Sequence, residues 1–382
     1  MQLGMTDEQK LLQQTVRRAA QEKMAPLVAE IDRKDHEYSD TIRNFVQELG
    51  LLSLIIPKEC GGPGGNLTTA CIVVEELGKV IPAAAAILGG HYLAIDCIEA
   101  GAKEDIRSRY LTQFATGKYL AAICLTEPEA GSDAAAIKTR AVRQGDNYVL
   151  NGRKCFITSG GMADILSVFA VTTPGKGAKG VSLFIVERDT PGISTGKIED
   201  KMGMRGTQTA EVIFEDAIVP AQNLVGEENK GFVMALDGFD KSRPLVGALS
   251  VGLAQAALDQ AVEYAKVRVT FGKPIAQHQA IRFMIADMAM QVEAARALVY
   301  KTAAMADSGH KAELRKFASM SKCFGSDVAM RVTTDVVQIF GGYGYMRDYP
   351  VERMMRDAKL TQIFDGTNQI HRMVIASSIF HD

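Results

Sequence analysis

Hydrophobic periodicity along the 382 residues predicts an α+β multidomain chain with an N-terminal helical domain (1–120), a middle antiparallel β domain (121–230) and a C-terminal four-helix bundle (231–382). Three observations carry this. Apolar residues recur at helical spacing up to about residue 120, short runs broken by turn residues follow, and four long helical patterns close the chain. With 47% hydrophobic and 23% charged residues, the chain can bury a sizeable core.

The first helix starts on Thr6-Asp7-Glu8-Gln9, a capping-box pattern, and carries Leu11, Leu12, Val16, Ala19, Ala20 and Met24 on one side. A second helical run over 38–54 ends at the Pro/Gly stretch 57–65, and helical patterns resume over 67–78, 83–100 and 103–116. In the middle domain, Asn151-Gly152 reads as a hairpin turn between Tyr148–Leu150 and a returning strand over 154–158. Further strands are expected over 165–171, 181–186 and 210–214, closed or sandwich-like, with no long helix between them that would suggest a βαβ array. The bundle helices are expected over 245–269, 280–304, 314–340 and 351–362. No repeat of fixed period is evident.

Composition excludes several functions. Lys plus Arg (43) and Asp plus Glu (45) nearly balance, which is unlike a nucleic-acid binder but leaves room for a local basic pocket. The six cysteines form no C-x-x-C pair and there is no zinc spacing, so no metal site is expected and the thiols read as buried and free. Residues 1–20 are too polar for a signal peptide, and the apolar run at 81–90 is short for a bilayer. The expectation is a cytoplasmic protein without membrane insertion.

Three segments carry candidate chemistry. Leu125–Asp133 lies where the helical domain gives way to the β domain, a usual place for a ligand cleft, and Thr126 and Ser132 can donate there. It reads equally as a polar turn punctuated by Pro128 and Gly131. Gly341-Gly342-Tyr343-Gly344-Tyr345 follows a helix rather than a strand, so it is no dinucleotide fingerprint. It is either a helix–helix turn or a place where a ligand approaches bare backbone. Phe364-Asp365-Gly366-Thr367 is either a helix start capped by Asp365 or Thr367, or a carboxylate base in an apolar cleft.

Taken together, the strings CLTEPEAGSD (124–133), NGRKCFITSGG (151–161), DKMGMR (200–205), FDKSRP (239–244), RVTFGKP (268–274), QIFGGYG (338–344) and FDGTNQIHR (364–372) resemble the acyl-CoA dehydrogenases over essentially the whole chain. The resemblance implies a FAD enzyme in which a carboxylate removes the α proton of an acyl-CoA while the β hydride passes to flavin N5. It further implies a homotetramer that hands electrons to an electron-transfer flavoprotein. By the same resemblance, Leu125, Thr126, Phe156 and Thr158 contact the isoalloxazine, with Phe156 where many relatives have Trp. Arg268, Phe271, Gln279, Gln338, Gly341 and Gly342 hold the pyrophosphate and adenosine part, some from a neighbouring subunit, and Thr367 and Gln369 add contacts. Ser132, Asp240 and Arg243 receive the CoA moiety. For Arg268 the plain alternative is a helix-surface charge.

One departure matters. Most members with their base in the last motif have Glu where this chain has Asp365. Another branch keeps its Glu on the earlier bundle helix, where this chain has Ser242. Asp365 is therefore the expected base, one methylene short, and a displacement of ~1 Å can cost ~10²-fold in rate. Either the substrate's α carbon sits closer, as a ring carbon in cyclohexane-1-carboxyl-CoA would, or the chemistry is altered or lost. His91 and Asp96 fall where the family lines its acyl cavity, and both are unusual beside a plain alkyl chain. Asp96 is either a second base for 1,4-elimination on a cyclohexene-carboxyl-CoA or a solvated position facing Glu99 or Arg107. Short- or medium-chain straight or branched substrates stay open.

Overall fold

The computed structural model describes residues 4–381; the outermost residues of the first and third expected domains, 1–3 and 382, lie outside it. Helix α1 (Asp7–Ala19) starts on the expected reciprocal cap, the Thr6 hydroxyl accepting from Gln9 N and the Gln9 side chain accepting from Thr6 N. It is followed by α2 (Val28–Lys34), α3 (Ser39–Glu48), α4 (Leu67–Val80), α5 (Pro82–Gly101) and α6 (Glu104–Ala115). The apolar run at 81–90 belongs to a longer helix than its own length suggests. At 20 residues α5 is long and apolar enough to cross a membrane, as is the 37-residue helix Gly231–Val267; 78% and 72% of their apolar windows are buried inside the fold. Both are largely buried core helices, apolar over more of their circumference than a single stripe because they pack against more than one neighbour.

The middle domain carries β1 (Ala121–Cys124), β2 (Arg140–Gln144), β3 (Asn147–Ile157), β4 (Ile165–Val171), β5 (Val181–Glu187), β6 (Ile193–Ile198), β7 (Ala210–Pro220) and β8 (Leu224–Val225). The strand order is β6-β7-β3-β2-β4-β5-β8, with β1 added on β4. The sheet is mixed, which corrects the purely antiparallel expectation: β1 runs parallel to β4, and β2 meets β4 in parallel at Arg140 and Val171. Parallel pairing needs a crossover, here supplied by the β2–β3 hairpin, and local periodicity cannot reveal it.

Asn151-Gly152 is not the hairpin turn. The chain turns at Gly145-Asp146, and β3 continues through residues 151–152 with a shift of register against β7. A Cβ on Gly152 would stand 2.7 Å from Thr139 Cα, so the glycine permits close approach of the neighbouring strand. Asn151 pairs with Asp216 across that irregularity.

The C-terminal domain comprises α7 (Gly231–Val267), α8 (Gln279–Asp307), α9 (Leu314–Phe340), α10 (Val351–Thr361) and α11 (Asn368–Phe380). Helix α7 begins 14 residues before its expected start at Leu245, continuing through Pro244. Proline removes the bond to the carbonyl four residues back, which is why periodicity reads a boundary there. On α7, a Cβ at Gly252 would meet the Glu75 carbonyl oxygen at 2.2 Å, so bare backbone lets α4 lie against α7. All six cysteines are free and buried.

Candidate active site

Asp365 lies in the short turn between α10 and α11 with φ 58°, a left-handed conformation that few residues other than glycine adopt. Thr367 accepts from Ile370 N and caps α11. The cap role thus falls to Thr367 and leaves the Asp365 carboxylate free to point elsewhere. Ser242 on α7 donates to Asp365 Oδ2 at 2.5 Å. His371 on α11 sits 3.1 Å by Nε2 from the Asp365 carbonyl, and Lys322 on α9 donates to the Gly366 carbonyl at 2.7 Å. Burial pushes the Asp365 carboxyl above its usual range, partly offset by the Ser242 hydrogen bond and the charges of Arg243 and Lys322. His371, pushed down to about 3 by burial and those same cations, stays neutral and donates from Nε2 to the carbonyl.

A second acid is held by the neighbouring residue of α7. Asp96 on α5 is buried and accepts from Lys241 at 2.8 Å. The solvated reading of Asp96 is therefore corrected: Arg107 reaches Glu99, at 3.7 Å, rather than Asp96. Burial raises the Asp96 carboxyl, while Lys241, despite its own burial, is held up by Asp96. Consecutive residues of one helix, Lys241 and Ser242, thus each hold a different carboxylate, and their side chains leave the helix about 100° apart.

The expected flavin edge is built at the junction of β1 and β3. Cys155 N donates to the Thr126 carbonyl at 3.0 Å, which fixes Leu125-Thr126 beside Phe156. Beneath them, the fully buried Lys154 donates to Glu127 at 2.6 Å and to the Leu125 carbonyl at 3.1 Å. Glu127 also accepts from the backbone N–H groups of Lys138 and Thr139 at 2.5 and 3.0 Å. Burial opposes the Glu127 charge, but Lys154 and these donors outweigh it and hold the carboxyl below its usual range. Residues 127–130 close a tight turn through reciprocal backbone bonds, so the segment is a turn and a floor at once.

These residues fit a flavin. Phe156 is 64% exposed with φ 57°, an apolar ring held out from the sheet at an uncommon backbone conformation. A Cβ added to Gly89 of α5 would meet nothing within 4 Å, and one on Gly90 would just reach Thr158, so open space faces this edge. Arg268, just past the end of α7, lies over the Tyr343 ring at 5.4 Å, which joins it to the Gly341–Tyr345 turn. There Gly341 has φ 60°, and a Cβ on Gly341 or Gly342 would meet open space, so protein packing does not require either glycine. Phe271 is 96% exposed, and Gln279, Gln338 and Gln369 are exposed as well.

On the substrate side, Ser132 is exposed on the turn. Asp240 and Arg243 are buried and paired at 2.7 Å, with Arg315 also donating to Asp240; the buried Arg243 Nε has no protein partner, a donor left over for a ligand. His91 is corrected. It is fully buried, Nε2 donating to the Leu52 carbonyl and Nδ1 accepting from Ala121 N, so neither nitrogen is free for a substrate.

Comparison with known proteins follows the same three-part division. The chain matches the acyl-CoA dehydrogenase N-terminal domain over residues 6–118, the middle domain over 122–217 and the C-terminal domain over 229–380. It belongs to the acyl-CoA dehydrogenase family. It is 49% identical to the cyclohex-1-ene-1-carbonyl-CoA dehydrogenase of Syntrophus aciditrophicus (98% of this chain, 90% of the relative). It is 44% identical to the cyclohexane-1-carbonyl-CoA dehydrogenase of Geobacter metallireducens (99% and 98%). The butyryl-CoA dehydrogenase of Megasphaera elsdenii superposes with a TM-score of 0.95 at 43% identity, each chain covered entirely.

This acyl-CoA dehydrogenase is a FAD-dependent oxidoreductase acting on a CoA thioester. Sequence reasoning missed four residues that the structure brings to this region. Glu127 and Lys154 lay inside quoted motifs, but nothing in their separate strings signals that they meet. Ser242 reads from the sequence only as the place of a lost acid, and Lys322 carries no local signal at all.

Proposed function

We propose that this dehydrogenase oxidises an alicyclic acyl-CoA of the cyclohexane-1-carboxyl-CoA type, with Asp365 as the base for the α proton. The observation that carries the reading is the 2.5 Å bond from Ser242, which holds an already short carboxylate against α7. A retracted base leaves room for a tertiary ring carbon. The names of two relatives at 44–49% identity support the same substrate class.

In the reaction the α C–H bond breaks, its proton goes to the Asp365 carboxylate, and its electron pair becomes part of the new double bond. When bound, FAD supplies the two-electron acceptor for the β hydride. Leu125, Thr126, Phe156 and Thr158 orient that acceptor at one edge of the cleft. Asp365 works because burial has raised its proton affinity, while Ser242, Arg243 and Lys322 limit the rise.

Arg268 lies 26 residues beyond Ser242 along α7, about 40 Å at 1.5 Å per residue. That span is too long for one small ligand to touch both within one chain, which supports a homotetramer whose Arg268, Phe271 and Gln338 serve a neighbour's FAD. The electron acceptor is an electron-transfer flavoprotein, and the enzyme works in the cytoplasm.

A second reading has its own observation. Asp96, buried and paired with Lys241, supplies the acid that a 1,4-elimination on a cyclohexene-carboxyl-CoA would need, and the relative at 49% identity is named for that substrate. Anaerobic flavin bleaching by cyclohexane-, cyclohexene-, straight-chain and branched-chain acyl-CoA distinguishes these. Fastest bleaching by the saturated ring ester in wild type, abolished in D365N, is the expected result. Fastest bleaching by the straight-chain ester overturns the ring assignment, and bleaching by D365N but not D96N moves the base to Asp96.

A further inference from the structure

Lys322 is fully buried on α9, yet among the described residues no carboxylate lies within ion-pair distance of it. Among the described residues its ammonium donates to the Gly366 carbonyl at 2.7 Å and to Asn368 Oδ1 at 3.0 Å. Burying an unpaired cation is expensive, and a neutral side chain of equal length could fill the same space. Both acceptors lie just after the base: Gly366 follows Asp365 directly, and Asn368 opens α11 with its amide donating to Ser326, Asp327 and the Cys323 carbonyl. Lys322 therefore ties the turn that carries the base to the middle of α9.

We propose that Lys322 is the positioning and electrostatic partner of Asp365, clamping the turn through Gly366 and Asn368 and keeping the carboxylate ionised inside the desolvated cleft. This rests on Asp365 being the base. The groups that face Asp365 are Ser242 and Arg243 from α7, Lys322 from α9, the neutral His371 from α11 and the buried Cys97 thiol from α5. Arg243 acts on Asp365 at least as strongly as Lys322 does, but it is also bound directly to Asp240, itself shared with Arg315. Lys322 has no such partner, and its charge is available to Asp365. Consistently, burial pushes Lys322 down to about 8, with Asp365 the first group opposing the fall. Lys322 transfers no proton: the substrate's α proton goes to Asp365, and the lysine keeps all of its own.

The test is the pH dependence of anaerobic flavin reduction in the holoenzyme, using whichever acyl-CoA bleaches the wild type fastest. K322Q keeps two N–H donors and loses the charge; K322M loses both; K322R keeps the charge. FAD content and acyl-CoA binding are measured beside the rate. The expected result is an acid limb displaced upward by about one unit or more in K322Q and K322M, a tenfold slower reaction per unit below the limb, with most of the rate recovered at alkaline pH and FAD retained. K322R keeps the limb near its wild-type position. Should K322M fold poorly, K322Q decides alone. An unmoved limb in K322Q with FAD retained overturns the proposal, as does an equal loss of rate at every pH. Bleaching by D365N at wild-type rate would instead remove Asp365 as the base, a failure distinguishable because the lysine variants play no part in it.

Discussion

Ser242 Oγ and Asp365 Oδ2 stand 2.5 Å apart, joining α7 to the turn before α11. These are the two positions at which the family's resemblance places a catalytic acid. Here one holds the acid and the other the hydroxyl that anchors it. The anchor both lowers the carboxyl's proton affinity and fixes where the short arm points.

Ser242→Ala removes a hydrogen bond to a charged acceptor, an interaction worth about 1.5–3 kcal/mol. Flavin reduction at neutral pH should slow roughly tenfold, and its acid limb should move upward, because the bond favours the ionised carboxylate. Acyl-CoA binding should change little. A pH–rate profile superimposable on wild type would show that the hydroxyl does not act on the base.

Glu127→Gln leaves Lys154 buried without its counter-ion. Breaking one partner out of such a pair typically costs about 3–5 kcal/mol. The variant should melt at lower temperature and lose FAD, since Lys154 also supports the Leu125 carbonyl. Adding Lys154→Met should restore part of the melting temperature. Thermal melts and the flavin-to-protein ratio check both expectations; equal melting of E127Q and wild type would discount the pair.

Arg268→Ala should weaken FAD retention while leaving the base intact. Its guanidinium is exposed above Tyr343 and has no carboxylate partner among the described residues, and a planar fork of donors suits phosphate oxygens. Flavin content after gel filtration, with solution mass in parallel, tests this together with the tetramer. A stable monomer that keeps its FAD would contradict both.

His91 makes acid stability measurable. Burial pushes its imidazole from 6.5 down to about 4. Below about pH 6.5 the unfolded chain binds a proton there and the folded chain does not, so the contribution is full above 6.5 and is lost as pH falls toward 4. The loss is about 1.4 kcal/mol for each unit between the two values. His91→Gln, which can still donate to Leu52 and accept from Ala121, should flatten that part of the urea-stability profile between pH 6.5 and 4 relative to wild type. An unchanged slope would place the acid sensitivity elsewhere, for example at His371.

The sequence by itself determined what is written in local period and in contiguous motifs. Helical spacing marked α1 through its cap and placed α8 and α9; runs of apolar residues marked β4 and β5; and the string around Asp365 singled out that carboxylate as the candidate base, with an arm one methylene shorter than Glu. Only the tertiary structure decided what depends on two distant segments meeting. The parallel pairing of β1 with β4, the bulge at Asn151-Gly152 and the continuation of α7 through Pro244 are set by neighbouring strands and helices that a local window does not contain. The same holds at the site. Glu127 meets Lys154 across 27 residues, Asp96 meets Lys241 across 145 and Ser242 meets Asp365 across 123. Burial then decides their chemistry: it makes each of these charges costly alone, so the partner that packing supplies fixes whether the group is a floor, a clamp or a base.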